Sequence, residues 1–249
     1  MNRYYAIVML VALATGCAHL PQPREYFPEQ AFDDFTANWY GKHLRAMREP
    51  SLQPQPRVDA TLGQRHAGNG KVSKLASTCR FLYLPTFSEP IIFRLEVDGE
   101  GKAVLITKRT NGKGGYGEGR LTYSVTSPVP SPQLDHIMKL IKELGPDSMP
   151  AAVPEMRGLD GSEWILEVAD GETYHVLSRW CARQTGSTEI GRIDGKGNQS
   201  TVTLRDTIRK ISPAFDVDAY FAGTKRLTEL VDFMLTLSPL KNEKELEIY

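Results

Sequence analysis

The chain has 249 residues, with 30 cationic and 30 anionic side chains and no net formal charge, and 41% of its residues are hydrophobic. That length suits one large domain, or one domain with an added segment, and holds enough apolar residues for a sizeable core. The balance of charge offers no basic surface for nucleic acid.

The amino terminus reads as an export signal. Arg3 precedes an apolar run from Ala6 to Ala14, and a small-residue junction, Ala14-Thr15-Gly16-Cys17, follows. A helix of about ten residues is only about 15 Å long, half of what a hydrocarbon core near 30 Å requires, so the run is not a membrane span. Gly16 leaves a peptidase room to approach, and the Cys17 thiol is a nucleophile able to take a diacylglyceryl group. The junction resembles a lipobox, with Leu13 one position earlier than usual and Ala14 in its place. Residues 1–16 are then a lipoprotein signal peptide and Cys17 is the lipidation site. Ala18, where Asp would retain a lipoprotein at the inner membrane, resembles an outer-membrane sorting signal. The expected location is the bacterial cell envelope, on the outer membrane facing the periplasm. Several acyl chains, at about 0.8 kcal/mol per buried methylene, make such an anchor effectively permanent. About 232 residues remain once the signal is removed.

From Glu29 to Met47 the apolar residues Phe32, Phe35, Trp39, Leu44 and Met47 recur at near-helical spacing and predict an amphipathic helix. Glu49-Pro50 ends it, and the chain to Ser77 is polar and rich in Pro, Gly and Gln, a linker or loop. Residues 17–77 are thus an N-terminal helix with its linker, docked on a main body over 78–240. That body opens with strands over Arg80–Leu84, Ile91–Val97 and Ala103–Arg109. In the second, Ile91, Phe93, Leu95 and Val97 alternate with Arg94 and Glu96, the pattern of a half-buried strand. After the glycine-rich stretch Asn111–Gly119 a fourth strand spans Arg120–Thr126. Ser131-Pro132 reads as an N-cap with proline at the first helical position, Leu134, Ile137, Met138, Ile141 and Leu144 share a face, and Gly145-Pro146 stops the helix. A second hairpin pairs Glu163–Ala169 with Thr173–Trp180 about the turn Asp170-Gly171. Thr185–Thr201 is polar and glycine-rich and predicts a loop. Helices over Thr203–Ile211 and Asp218–Leu237 precede a charged tail, 241–249. Strands and helices come in blocks, so the expected class is α+β: an antiparallel sheet of five to six strands built from hairpins, with helices packed on one face.

Cys79 and Cys181 form an even pair in an oxidising compartment, which predicts a disulfide, with two buried thiols as the alternative. Closing a loop of about 100 residues would stabilise the fold by roughly 4 to 5 kcal/mol in the chain-entropy model.

No motif carries a cofactor or a metal. Gly112-Lys113-Gly114-Gly115-Tyr116-Gly117 has the spacing of a dinucleotide fingerprint, but a strand follows where the phosphate-binding helix should start. The histidines His19, His43, His66, His136 and His175 are scattered singly, without metal-ligand spacing. No serine occupies a nucleophile elbow, and neither Cys79 nor Cys181 lies in a thiol-nucleophile pattern. Asp160, Glu163 and Glu167 lie close enough in sequence to give an acid and base pair, although ordinary turn and strand charges are the reading favoured for them.

The segments Gly158-Leu159-Asp160-Gly161-Ser162-Glu163-Trp164-Ile165-Leu166-Glu167 and Tyr174-His175-Val176 through Arg179-Trp180, with Gly114-Gly115-Tyr116 and the opening run Arg80-Phe81-Leu82-Tyr83-Leu84-Pro85-Thr86-Phe87, resemble a family of uncharacterised bacterial proteins. The resemblance covers roughly 78–181 and the final helix. It departs at Trp180-Cys181-Ala182, where the family has Ser-Pro after the Trp, and at an added segment before the last helix. It implies a domain boundary and no activity.

Tyr116 on its glycine loop, Asp160 beside a turn, and Arg179 next to Trp180 are the residues from which one binding surface could be built, since aromatics and Arg dominate binding hot spots. Against that stands a structural reading in which Trp164 and Trp180 are core and Arg179 pairs with Asp160 or Glu167. The function expected is a non-enzymatic envelope lipoprotein that binds a protein partner, as inhibitors, immunity proteins and scaffolds do. A hydrolase of an envelope polymer using Asp160 and Glu163 is one alternative. A capture protein for a small ligand is the other, and it requires a pocket.

Overall fold

In a computed structural model of the chain, the residues described are 20–53, 75–146, 161–170, 173–183, 189–193, 199–211 and 216–242. The signal segment, Cys17, most of the linker, Asp160 and the tail beyond 242 lie outside them.

Six strands, β1 (Leu75–Pro85), β2 (Ile91–Asp98), β3 (Ala103–Thr110), β4 (Leu121–Val129), β5 (Ser162–Asp170) and β6 (Thr173–Trp180), form one antiparallel sheet in the order β4-β3-β2-β1-β5-β6. With α1 (Asp34–Ala46), α2 (Ser131–Leu144), α3 (Leu204–Ile211) and α4 (Val217–Leu237) this is an α+β fold. The first four strands meander, α2 follows, and β5 returns to the free edge of β1, so β1 lies inside the sheet.

Period-two alternation sends Phe81, Tyr83, Phe93, Leu95, Leu105, Trp164, Leu166 and Leu177 to one face, where α2 and α4 cover them with Ile137, Ile141, Leu144, Leu227, Leu230, Val231 and Met234. Trp164 is fully buried, its ring edge-on to Phe81 with centroids 5.1 Å apart. Its indole N–H donates to Ser162 Oγ at 3.1 Å. Helix α2 starts one residue earlier than its sequence predicts. Pro130 is the cap, in extended conformation, and its carbonyl takes the Leu134 N–H. At the other end Gly145 adopts the left-handed conformation, φ 60°, that halts the helix.

The opposite face is also covered. Leu82, Leu84, Ile92 and Ile165 meet Tyr26, Phe27, Phe32, Ala37, Tyr40, Leu44 and Met47, contributed by a 3-10 turn (Pro23–Tyr26), by α1 and by the residues that flank them. Helices therefore lie on both faces, and the N-terminal helix shares the core. The N-cap Asp33 fastens α1 by accepting the Thr36 N–H at 2.9 Å. Gly41 lets the 3-10 turn cross it: a Cβ there would stand 1.7 Å from the Pro23 carbonyl oxygen.

Beyond Leu82 and Ile92 this second face is charged, yet it is still buried. Arg80 on β1 makes a two-pronged contact with Glu167 on β5, Nε to Oε2 at 2.6 Å and Nη2 to Oε1 at 2.8 Å. Tyr174 donates its hydroxyl to the same carboxylate at 2.8 Å. Glu49, just past α1, lies 2.6 Å from Lys108 Nζ on β3 and 3.4 Å from both Arg80 and Arg94. Lys108 also donates to the carbonyl of Met47, the C-cap of α1, at 2.9 Å. The alternation of Arg94 and Glu96 along β2, which reads as a solvent face, instead marks the floor of an ion cluster.

The segment expected to be a loop over 185–201 contains a hairpin, β7 (Glu189–Ile193) with β8 (Gln199–Thr203), whose ladder pairs backbone groups of a polar, glycine-rich stretch. A small cluster of Leu204, Ile208, Val217 and Tyr220 joins α3 to α4.

The expected Cys79–Cys181 disulfide is not formed: both residues are free thiols. Register explains why. Cys181 follows Trp180, which pairs with Glu163, which pairs with Leu84, five positions along β1 from Cys79. At about 3.3 Å per residue that separation is roughly 17 Å along the strands, whereas a bridge needs Cα atoms within about 7 Å. Burial pushes the Cys79 thiol up to about 12, so it packs as an apolar side chain.

Candidate functional site

The same alternation decides which of the residues read from sequence share a surface. Trp180, Glu163 and Leu84 are register partners and face α1. Arg179 pairs with Trp164 and faces the other way. Its Nη1 donates to the Ser178 carbonyl at 2.7 Å, and its guanidinium sits 5.0 Å from the Tyr220 ring centroid. Burial lowers its pKa below the ordinary value. Arg179 therefore belongs to neither the expected binding surface nor a pair with Glu167, which lies on the opposite face with Arg80. Trp164 is core, as the structural reading has it.

Tyr116 and Trp180 do meet. They line a cleft of about 370 Å³ with Phe35, Thr36, Trp39 and Tyr40 of α1, Leu84 and Thr86 at the end of β1, Gly114, Gly115 and Glu163. Its size falls in the range of small-molecule sites, and its lining follows their pattern of aromatic walls with few polar groups. Two of the four exposed large apolar side chains among the described residues line it, Phe35 at 75% and Tyr116 at 69%, and a third, Phe87 at 54%, has its ring 5.9 Å from that of Tyr116. Single exposed apolar residues are ordinary, but several grouped at one cleft mark a binding surface.

The glycine loop builds one wall. Lys113 and Gly117 form an isolated bridge and the Tyr116 N–H donates to the Lys113 carbonyl at 2.8 Å, a tight turn with Tyr116 at its tip. The turn lies flat on the end of β1. A Cβ on Gly114 would stand 2.5 Å from the Pro85 carbonyl oxygen, and one on Gly115 2.9 Å from Thr86 Cγ2. Close approach to β1, and not a phosphate cradle, is what these glycines serve.

At the floor, the Ser178 hydroxyl donates to the Glu163 carboxyl, and the Tyr40 hydroxyl lies 3.2 Å from Ser178 Oγ. That chain joins α1, β6 and β5 beneath the cleft. The rim is held at Thr86, whose N–H donates to the Gly161 carbonyl at 2.9 Å and whose hydroxyl accepts the Gly161 N–H at 3.1 Å. Gly161, at φ 151°, has no room for a Cβ, which would fall 2.4 Å from Cys181 Sγ and 2.8 Å from Trp180 Cζ2. Behind the aromatic wall His43 is fully buried, edge-on to Trp39 with centroids 5.1 Å apart. Burial lowers its pKa to about 4, while the Glu118 charge and the Gly114 backbone act in the opposite direction.

Sequence reasoning missed Phe35, Trp39 and Tyr40 as site residues because it merged two stripes of α1 into one. Ala37, Tyr40 and Leu44 face the sheet, whereas Phe35, Trp39 and His43, each four residues apart, form a second stripe toward the glycine loop. That second stripe was the available signal. Among the described residues no group of three or more His, Cys, Asp or Glu is placed to hold a metal, and no helix is long and apolar enough to cross a membrane.

Comparison of the chain with protein-family models, with curated proteins and with solved structures finds no match.

Proposed function

We propose that the chain is an envelope lipoprotein, anchored through Cys17, that works without catalysis by binding a compact ligand or one projecting side chain of a partner protein in the aromatic cleft. The observation that supports this most is the exposure of Phe35 and Tyr116, with Phe87 beside Tyr116, at a cleft walled by Trp39 and Trp180. Aromatic side chains lose little conformational freedom on binding and supply the largest apolar contact per residue. The cleft favours the capture reading, which lacked a pocket in the sequence. It also accepts the protein-binding reading in which a partner inserts a single anchor.

A hydrolase reading keeps one supporting observation, the Glu163 carboxyl at the cleft floor. Among the described lining residues it is the lone carboxyl, and a hydrolytic pair needs a second group at working distance. The test is recovery from native envelope. Tagged chain, cross-linked in its own cells, is compared with a Phe35→Ser/Tyr116→Ser double variant by mass spectrometry of co-purified proteins and of solvent-extracted small molecules. A species carried by the natural chain and lost from the variant supports binding at the cleft. Identical recoveries from both would refute it, and turnover of an envelope polymer abolished by Glu163→Gln would transfer the role to the hydrolase reading.

A further inference from the structure

We propose that the group bound in the cleft is an organic ammonium cation, methylated or primary, held against ring faces above the Glu163 carboxyl. This rests on the cleft being the binding site and adds the chemical class of its occupant. The wall is made of five aromatic residues, Phe35, Trp39, Tyr40, Tyr116 and Trp180. Ring faces carry negative potential, so a cage of them attracts cations, most strongly where water is excluded. The Thr36 and Thr86 hydroxyls in the lining are engaged by Asp33 and Gly161, and the described lining contains no Lys, Arg or His. An anion would meet a carboxyl and ring faces with no cation opposite it.

The positive end of α1 also lies at this rim, through Phe35 and Thr36, and would oppose a cation if it were bare. It is not bare: Asp33 accepts both the Thr36 N–H and, at 2.6 Å, the Thr36 hydroxyl, and Asp34 occupies the first turn. A weakly hydrated quaternary or alkylated ammonium fits such a site better than a metal ion, since it loses less hydration and gains contact with apolar wall. The volume, about 370 Å³, is ample for a trimethylammonium head with a short chain. The head could come from a free solute or from a lipid, and the shared chemistry is the ammonium group.

The test uses the full chain carrying Cys17→Ser, so that no acyl group inserts into membranes. Tetramethylammonium, choline and 3,3-dimethylbutanol, the uncharged carbon analogue of choline, are titrated while tryptophan fluorescence is followed, since Trp39 and Trp180 line the cleft. The expected result is saturable binding of the two cations, with the neutral analogue weaker by about tenfold or more, the scale of a desolvated cation–ring contact. Tyr116→Ala, whose side chain is at the surface and leaves the fold intact, should weaken the cations by a similar factor. Capture on phosphatidylcholine vesicles but not phosphatidylglycerol vesicles, competed by choline, would identify a lipid head as the source. Cation binding without vesicle capture would identify a free solute. Equal binding of the neutral analogue overturns the ammonium assignment while leaving the cleft as a binding site. Binding of a neutral disaccharide such as chitobiose with no response to either cation overturns it too. If no probe binds and Phe35→Ser/Tyr116→Ser changes nothing recovered from cells, the cleft itself falls with it.

Discussion

Acidification should weaken this fold through one side chain, His43. The ring is fully buried and its pKa is lowered from 6.5 to about 4. A base whose folded pKa lies below its unfolded one binds protons preferentially when unfolded, so stability is at its full value above about pH 7 and falls as pH drops from 6.5 toward 4. At about 1.4 kcal/mol per tenfold in protonation, the loss reaches about 2 kcal/mol at pH 5 and about 3 kcal/mol below pH 4. Set against a total stability on the order of 5 to 15 kcal/mol, that is a substantial share. The assay is urea unfolding followed by tryptophan fluorescence at pH 7.5 and pH 5, for the natural chain and for His43→Leu, which fills similar space and cannot take a proton. The natural chain should lose about 2 kcal/mol more than the variant between the two conditions. Parallel losses would mean that folding leaves the proton affinity of His43 unchanged and would refute the reasoning.

Two further outcomes follow from burial. Glu49→Ala should destabilise by about 3 to 5 kcal/mol, because it leaves Lys108 and Arg94 buried beside a missing anion, whereas removing an exposed acid such as Glu100 should change the denaturation midpoint by less than about 0.5 kcal/mol equivalent. In thiol labelling under native, non-reducing conditions Cys79 should react only on unfolding, and peptide mapping should recover it without a bridge to Cys181; a linked peptide pair would contradict the register.

Most of the sheet was legible because its strands carry their own turn signals. Thr173–Trp180 occupies the stretch expected of it, and Asp98 to Gly101 makes the hairpin that its glycines announce. What was not legible is which polar strand positions are covered. Arg80, Arg94, Lys108 and Glu167 look like a solvent face because local pattern records polarity and not what another segment places over it. Here Glu49, contributed from beyond the end of α1, supplies the compensating charge over a separation of 31 residues from Arg80. The candidate site divides the same way. Tyr116 and Trp180 could be named because aromatic residues beside glycine or at a strand end stand out. Arg179 failed because neighbours in a strand point to opposite faces, so Arg179 and Trp180 could not both line one surface. The second stripe of α1 required knowing that the helix is flanked on two sides, by the sheet and by the Gly112–Gly117 turn.

The carboxylate of Glu49 also governs how the molecule comes apart. It enters the sheet from the segment that ends α1, so lifting that helix breaks its ion pairs with Lys108 and Arg94 along with the apolar contacts. Partial opening therefore loses ion pairs to β2 and β3 as well as apolar contact. Two walls of the cleft, α1 and the turn at Tyr116, rest on the sheet that these ion pairs tie to α1, so native-state hydrogen exchange across them should report one shared opening free energy.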